Sequence, residues 1–76
     1  MPEMNNDDRM IHLHFTRGDH VIDEVVPGSE VEEFLNKNVD RPDEIADALM
    51  FLEIGRMASG RYVGAGWAVS FVVEDP

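Results

Sequence analysis

The sequence contains no cysteine, only six basic side chains and no long apolar run. Without cysteine, disulfide bonds, thiolate metal sites and thiol nucleophiles are excluded. The longest stretch without a charged residue, Tyr62 to Val73, has 12 residues, two of them glycine. A membrane-spanning helix needs about 20 apolar residues, and no signal-peptide pattern is recognisable. The sequence therefore predicts a soluble, cytoplasmic protein with no membrane contact.

The chain is also short, with 76 residues. A domain of this size buries only about 60% of the surface that its unfolded chain exposes. Small domains without disulfides or structural metals often gain core area from a partner or from a second copy. We therefore expect a single domain of modest stability when it is alone.

Acids outnumber bases by 16 to 6, which gives a formal net charge of −10. The excess is concentrated between Asp19 and Asp47, where ten acids face two bases, Lys37 and Arg41. Such a field repels phosphate backbones and attracts basic protein surfaces. This distribution argues against direct nucleic-acid binding and favours a protein partner with a basic surface. The alternative is that the acids only keep a small protein soluble.

The first residues, MPEMNNDDR, have no apolar periodicity and predict a disordered acidic tail over 1–9, followed by one domain over 10–76. From Met10, apolar residues alternate with polar ones, which is typical of a half-buried strand. Ile11, Leu13 and Phe15 form the buried side. A turn at Arg17–Asp19 and a second strand, His20–Val26, follow. Asp23 and Glu24 interrupt that strand, which indicates an edge position.

Two helices are predicted next. The first runs from Glu30 to Lys37, begins with a capping box formed by Ser29 and Glu32, and buries Val31, Phe34 and Leu35. The second begins with Pro42 and extends to about Ala58, with a core stripe of Ile45, Ala48, Leu49 and Leu52.

A second apolar group lies on nearly the opposite side of the second helix. It consists of Met50, Ile54 and Met57, with Phe51 beside them. Either another element covers this group, or it forms an adaptable contact patch for a partner.

The last segment, Arg61–Val73, alternates strictly and reads as one long strand. The predicted core side carries Val63, Ala65, Trp67, Val69, Phe71 and Val73. The other side has little bulk and carries Tyr62, Gly64, Gly66, Ala68, Ser70 and Val72. Thirteen residues exceed the usual strand length of about five or six, so a bulge or a hairpin at Gly64–Gly66 remains an alternative.

The predicted order is strand, strand, helix, helix, strand. It indicates an α+β fold: a small two-layer sandwich with a three-stranded, mainly antiparallel sheet and both helices on one face. The last strand is expected at the centre of the sheet or extending into a neighbouring copy. Its small side is left open to water or to a second protein surface.

Few side chains in the sequence are suited to catalysis or to metal binding. His12 and His14 share one side of a strand, and a hairpin bringing His20 near them would form a three-nitrogen zinc site. This is the alternative hypothesis of a metal-binding protein or small enzyme. The hydroxyl residues Thr16, Ser29, Ser59 and Ser70 each have a structural role, and the carboxylates lie on a solvated helical surface. We therefore expect no enzyme activity and no cofactor.

The sequence favours a small acidic, non-enzymatic protein–protein interaction module that inhibits a partner by occupying its basic surface, such as one that binds nucleic acid. The predicted determinants are the acids of the helical segment and two apolar anchors: Glu30, Glu33, Asp40, Asp43, Glu44, Asp47, Met50 and Ile54. The structural alternative is an obligate homodimer, formed through the small side of the last strand or through the group Met50, Ile54 and Met57.

Overall fold

The computed structural model describes residues 9–53 and 56–74. The tail predicted over 1–9 lies outside the described residues except for Arg9. The Arg9 backbone carbonyl accepts a hydrogen bond from the Gly28 amide at 2.9 Å. Arg9 therefore belongs to the folded part of the chain.

Four antiparallel strands form one sheet in the order β2-β1-β4-β3. The strands are β1 (Met10–Arg17), β2 (His20–Pro27), β3 (Ser59–Val63) and β4 (Trp67–Glu74). A 3₁₀ turn, Gly28–Glu30, leads into α1 (Val31–Asn38), and α2 (Pro42–Leu52) follows. The predicted α+β class is confirmed, whereas the predicted count of three strands is wrong.

The β1–β2 hairpin closes through two residues, Gly18 and Asp19. Gly18 has a φ of 60°, a conformation that glycine adopts without steric cost. The predicted side of β1 is buried, with Ile11, Leu13 and Phe15 almost inaccessible to water. β2 lies at the edge of the sheet, as its two interrupting acids indicated.

The segment predicted as one long strand is a hairpin, the alternative that its length left open. Gly66 has a φ of 82°, and the Gly64 amide donates to the Trp67 carbonyl at 2.8 Å. The turn breaks the alternation, so Tyr62 pairs with Val69 and lies on the core side. Val63 pairs with Ala68 and is 64% exposed. The sides predicted for Tyr62 and Val63 are therefore exchanged.

Both helices differ from prediction at one end. The 3₁₀ turn contains Ser29, and α1 has no side-chain cap, so the capping box predicted with Glu32 does not form. Pro42 stands in the first turn of α2 as predicted. However, α2 ends at Leu52 instead of Ala58, because Glu53 adopts a left-handed conformation with a φ of 46°. β3 then begins at Ser59.

The core lies between one face of the sheet and the two helices. It contains the predicted inward residues of β1, β4, α1 and α2, including Val31, Phe34, Leu35, Ile45, Ala48, Leu52, Trp67, Val69 and Phe71. The rings of Phe15 and Phe34 meet edge to face at 5.8 Å between centroids. Neither helix in the described ranges is long and apolar enough to span a membrane.

The opposite side of the sheet, here called the open face, has no helix of the described residues packed on it. By the strand register it carries Met10, His12, His14, Thr16, Val21, Asp23, Val25, Pro27, Ser59, Arg61, Val63, Ala68, Ser70, Val72 and Glu74. β4 is one of its two central strands, as expected for the last strand of the chain. The molecule therefore has two dissimilar outer surfaces.

Candidate functional site

The outer side of the helical layer carries most of the acid excess. From Glu30 to Glu53 the chain has eight acids and two bases. Seven of these acids are exposed, and we call them the acidic helical surface: Glu30, Glu32, Glu33, Asp40, Asp43, Asp47 and Glu53. Five of the six acids predicted as partner determinants belong to it, and Glu44 does not.

The placement of these acids follows from local sequence. α1 buries Val31, Phe34 and Leu35, so Glu32 and Glu33 are turned to solvent. In α2 the buried stripe leaves Asp43 and Asp47 on the outer side. Acids in the first turn of each helix also interact favourably with its dipole. Glu32, Glu33 and Asp43 therefore lie at the helix ends where a negative charge is favoured.

Basic groups pair with two carboxylates of this surface, Asp40 and Glu53, and Arg56 Nη1 lies 3.3 Å from Glu53 Oε1. Arg17 Nη1 donates to the Asn38 carbonyl at 2.9 Å, and its Nη2 lies 3.5 Å from Asp40 Oδ2. The Asp40 side chain is nevertheless 86% exposed, and an exposed ion pair of this kind contributes little. Arg17 also lines a groove of about 390 Å³ together with Phe15, His20, Ile22, Lys37 and Asn38. Arg17 and Lys37 thus share a groove beside Asp40.

Glu44 is directed inward and joins α2 to the β3–β4 hairpin. Its Oε1 accepts hydrogen bonds from Trp67 Nε1 at 2.6 Å and from the Ala65 amide at 3.1 Å. The side chain is only 19% exposed. A Cβ atom at Gly64 would overlap the Trp67 indole and lie 2.8 Å from Glu44 Oε1, so this joint requires glycine there. Glu44 therefore has a structural role that its place in the sequence did not indicate.

Asp47 is exposed but held in place. Its Oδ2 accepts a hydrogen bond from the Tyr62 hydroxyl at 2.8 Å. That hydrogen bond, together with desolvation and the negative charge of Asp47, raises the pKa of Tyr62 above its usual 10.0. The Tyr62 ring also contacts Phe51, with 5.9 Å between ring centroids. Asp47 is thus a fixed carboxylate beside an aromatic pair.

Apolar side chains border the acids on α2. Met50 is 75% exposed, and Phe51 and Met57 are also exposed. Ile54, the second predicted anchor, lies outside the described residues. The alternative that another element covers this group is therefore wrong for Met50, and Met57 lies beyond the end of α2 instead of on its outer side.

The three histidines do not converge. His12 and His14 lie on the open face, whereas His20 lines the groove on the helical side. The zinc site considered as an alternative, with His12, His14 and His20 as ligands, is therefore not formed. Within residues 9–53 and 56–74, no group of three or more His, Asp or Glu side chains is arranged to hold a metal ion.

His12 and His14 instead contact Asp23. His12 Nε2 is hydrogen-bonded to Asp23 Oδ1, and His14 Nδ1 lies 3.3 Å from Asp23 Oδ2. The bond to Asp23 raises the pKa of His12 above 6.5, and the same contacts lower the pKa of Asp23 below 3.8. A sequence signal for this cluster existed: a two-residue loop at Gly18 and Asp19 places His14 opposite Asp23.

Comparison of the chain with protein-family models, with curated proteins and with solved structures returned no match.

Proposed function

We propose that this chain is a non-enzymatic protein-binding module whose acidic helical surface contacts a basic surface of a partner protein. The observation that carries the proposal is the excess of one charge sign: the helical layer exposes seven carboxylates, and the segment 30–53 has only two bases, Lys37 and Arg41. A surface on which one sign of charge predominates associates faster with an oppositely charged surface and repels surfaces of the same charge.

The contact residues fall into two groups. The charged group is Glu30, Glu33, Asp40, Asp43 and Asp47, all exposed. Met50 stands next to them on the outer side of α2 and supplies an apolar contact, with Phe51 at its flank. An apolar anchor surrounded by charges that steer the encounter is a common arrangement in protein interfaces. Glu44 supports the surface by holding α2 against the hairpin.

The mode of action follows from the sign of the charge. A basic partner surface that binds nucleic acid attracts phosphates, and an acidic protein seated on it excludes them. The module then inhibits nucleic-acid binding without binding nucleic acid itself. We therefore expect that binding of the module displaces a labelled oligonucleotide from such a partner.

The experiment compares capture of basic proteins from a lysate of the native host by three immobilised proteins. One is the unmodified chain, and one carries lysine at Glu30, Glu33, Asp40 and Asp43, all of which are exposed. The control carries lysine at Glu3, Asp7, Asp8 and Asp19, which changes the net charge equally and keeps all seven carboxylates of the acidic helical surface. At about 0.1 M ionic strength, exposed charges act over only about 10 Å, so position decides the result.

We expect the unmodified chain and the control to capture the same basic protein, and the helical variant to lose it. Equal capture by the helical variant would exclude the acidic helical surface as the binding site. Equal loss in both variants would mean that only the net charge matters.

A further inference from the structure

The open face concentrates the exposed apolar side chains. Of the eight large apolar residues that are exposed in the described part of the chain, five lie on this face: Met10, Val21, Val25, Val63 and Val72. Small residues, Thr16, Ala68 and Ser70, lie at its centre. Uncovered apolar area of this kind marks a site of protein contact.

The strand register arranges the open face in rows that cross the sheet from β2 to β3. The middle row is Asp23, His14, Ser70 and Arg61. The row on one side is Val21, Thr16, Ala68 and Val63, and the row on the other is Val25, His12, Val72 and Ser59. The middle row thus has an acid at one edge and a base at the other, and the row beside it has an exposed valine at each edge.

This pattern is self-complementary. A two-fold axis that runs parallel to the strands, between β1 and β4, places β2 of one copy over β3 of the other and keeps the rows in line. Asp23 then faces Arg61, and Val21 faces Val63. We propose that the open face binds a second copy of this chain in this orientation, as an aligned packing of two sheets. The long Arg61 side chain accommodates the angle of about 30° at which such sheets cross.

The charge distribution favours a second copy on this face. The acidic helical surface repels its own copy, whereas the open face carries Asp23 and Glu74 against Arg61 and the two histidines. In this dimer the two sheets pack about 10 Å apart and the helices lie on the outer sides. The helical layers of the two copies are therefore separated by about 30 Å. That separation exceeds the screening length of about 8 Å at physiological salt several times over.

The area of the open face is also sufficient for a dimer interface. Strands about 4.8 Å apart with a rise of about 3.4 Å per residue give the face a footprint of about 500 Å². Two copies therefore bury about 1,000 Å² before the relief of the side chains is counted, near the lower limit of specific interfaces. We expect a dimer that dissociates in the micromolar range, independently of whether the acidic helical surface binds a partner.

Sedimentation equilibrium of the full chain at micromolar concentrations tests whether the dimer forms. The expected result is a dimer of twice the chain mass of 8.6 kDa. Val72→Lys, at the centre of the open face, should weaken the dimer by about a hundredfold. Met50→Lys, on the helical layer, should leave it unchanged. A monomer at every concentration, or a dimer sensitive to Met50→Lys and not to Val72→Lys, would overturn the proposal.

A charge exchange tests the orientation and does not depend on whether Val72→Lys folds. Asp23→Arg and Arg61→Asp should each weaken the dimer, because like charges then face each other. The double variant should restore it, and a mixture of the two single variants should form the heterodimer. Circular dichroism of each variant monitors the fold. Failure of both the double variant and the mixture to associate would contradict the two-fold arrangement.

Discussion

At the scale of single residues, Tyr62 offers the sharpest check of the α2 surface. It is the only tyrosine, so ultraviolet absorbance follows its ionisation without interference. Asp47→Asn removes the carboxylate that accepts the hydrogen bond of the Tyr62 hydroxyl, so the pKa of Tyr62 should fall toward 10.0. The comparison is an alkaline absorbance titration of both proteins. Asp43→Asn, which lacks this hydrogen bond, should move the midpoint much less.

The raised pKa of Tyr62 determines how its contact with Asp47 changes the stability of the fold with pH. Because the folded-state pKa of Tyr62 is raised, the contact with Asp47 contributes its full stability below pH 10.0 and loses it as the pH rises through the raised value. An unchanged Tyr62 midpoint in Asp47→Asn would show that the hydrogen bond is absent in solution.

His12 and Asp23 form the second titrating contact. The raised pKa of His12 means that its contribution is complete below 6.5 and lost as the pH rises through the folded value. The lowered pKa of Asp23 means that its contribution is present above 3.8 and lost as the pH falls through the folded value. The contact therefore stabilises the fold most between about pH 4 and pH 6.5.

The corresponding experiment is a proton NMR titration of the His12 ring in the unmodified protein and in Asp23→Asn. The His12 midpoint should lie above 6.5 in the first and fall in the second, because the hydrogen-bonding carboxylate is lost. Asp19→Asn, an exposed acid in the hairpin turn, is the matched control and should leave the His12 titration unchanged. Equal midpoints in all three proteins would refute the contact.

At the scale of elements, the joint between α2 and the β3–β4 hairpin depends on Glu44. Glu44→Ala leaves the indole N–H of Trp67, a residue only 5% exposed, without its acceptor. The expected loss is about 2 to 3 kcal/mol, since a hydrogen bond to a charged group is removed and a buried donor is left unpaired. Glu44→Gln keeps an acceptor oxygen and should cost about half as much.

Urea unfolding followed by the fluorescence of Trp67, the only tryptophan, measures this difference. Asp43→Ala, the neighbouring exposed carboxylate, is the control and should change stability by less than about 0.5 kcal/mol. If Glu44→Ala were as mild as Asp43→Ala, the joint would not hold α2 in place.

Periodicity predicted most elements but not their joints. In β1 and α1 the apolar spacing is regular, and each buried side follows from it. In the last segment the alternation continues through Gly64–Gly66, so the pattern cannot distinguish one strand from a hairpin, although the turn reverses the sides of Tyr62 and Val63. Glu44 could not be assigned because it lies between the buried and exposed sides of α2, and only the position of the hairpin determines where it points.

The end of α2 was missed for a related reason. Helical spacing of apolar residues continues past Leu52, to Ile54 and Met57, and it predicted a helix as far as Ala58. The left-handed Glu53 stops the helix earlier, and β3 begins at Ser59. A strand that must lie beside β4 thus overrides the local helical pattern.

At the scale of the whole molecule, the helical layer carries most of the exposed acids of the described residues, and the open face carries five of their eight exposed large apolar residues. The acidic helical surface was predictable from sequence, because exposed positions follow from the buried stripes of α1 and α2. The open face was only half predictable, since β3 and its contribution of Arg61 and Val63 depend on the hairpin. If both proposals hold, a dimer through the open face presents two acidic helical surfaces on opposite sides, which permits bivalent binding.

The salt dependence of partner affinity tests the proposed function most directly. The partner captured by the unmodified chain is titrated with that chain and with the variant carrying lysine at Glu30, Glu33, Asp40 and Asp43, at several salt concentrations. We predict that the affinity of the unmodified chain falls steeply as salt rises, and that the variant binds about a hundredfold more weakly at low salt. Equal affinities of the two proteins at low salt would contradict the role of the acidic helical surface.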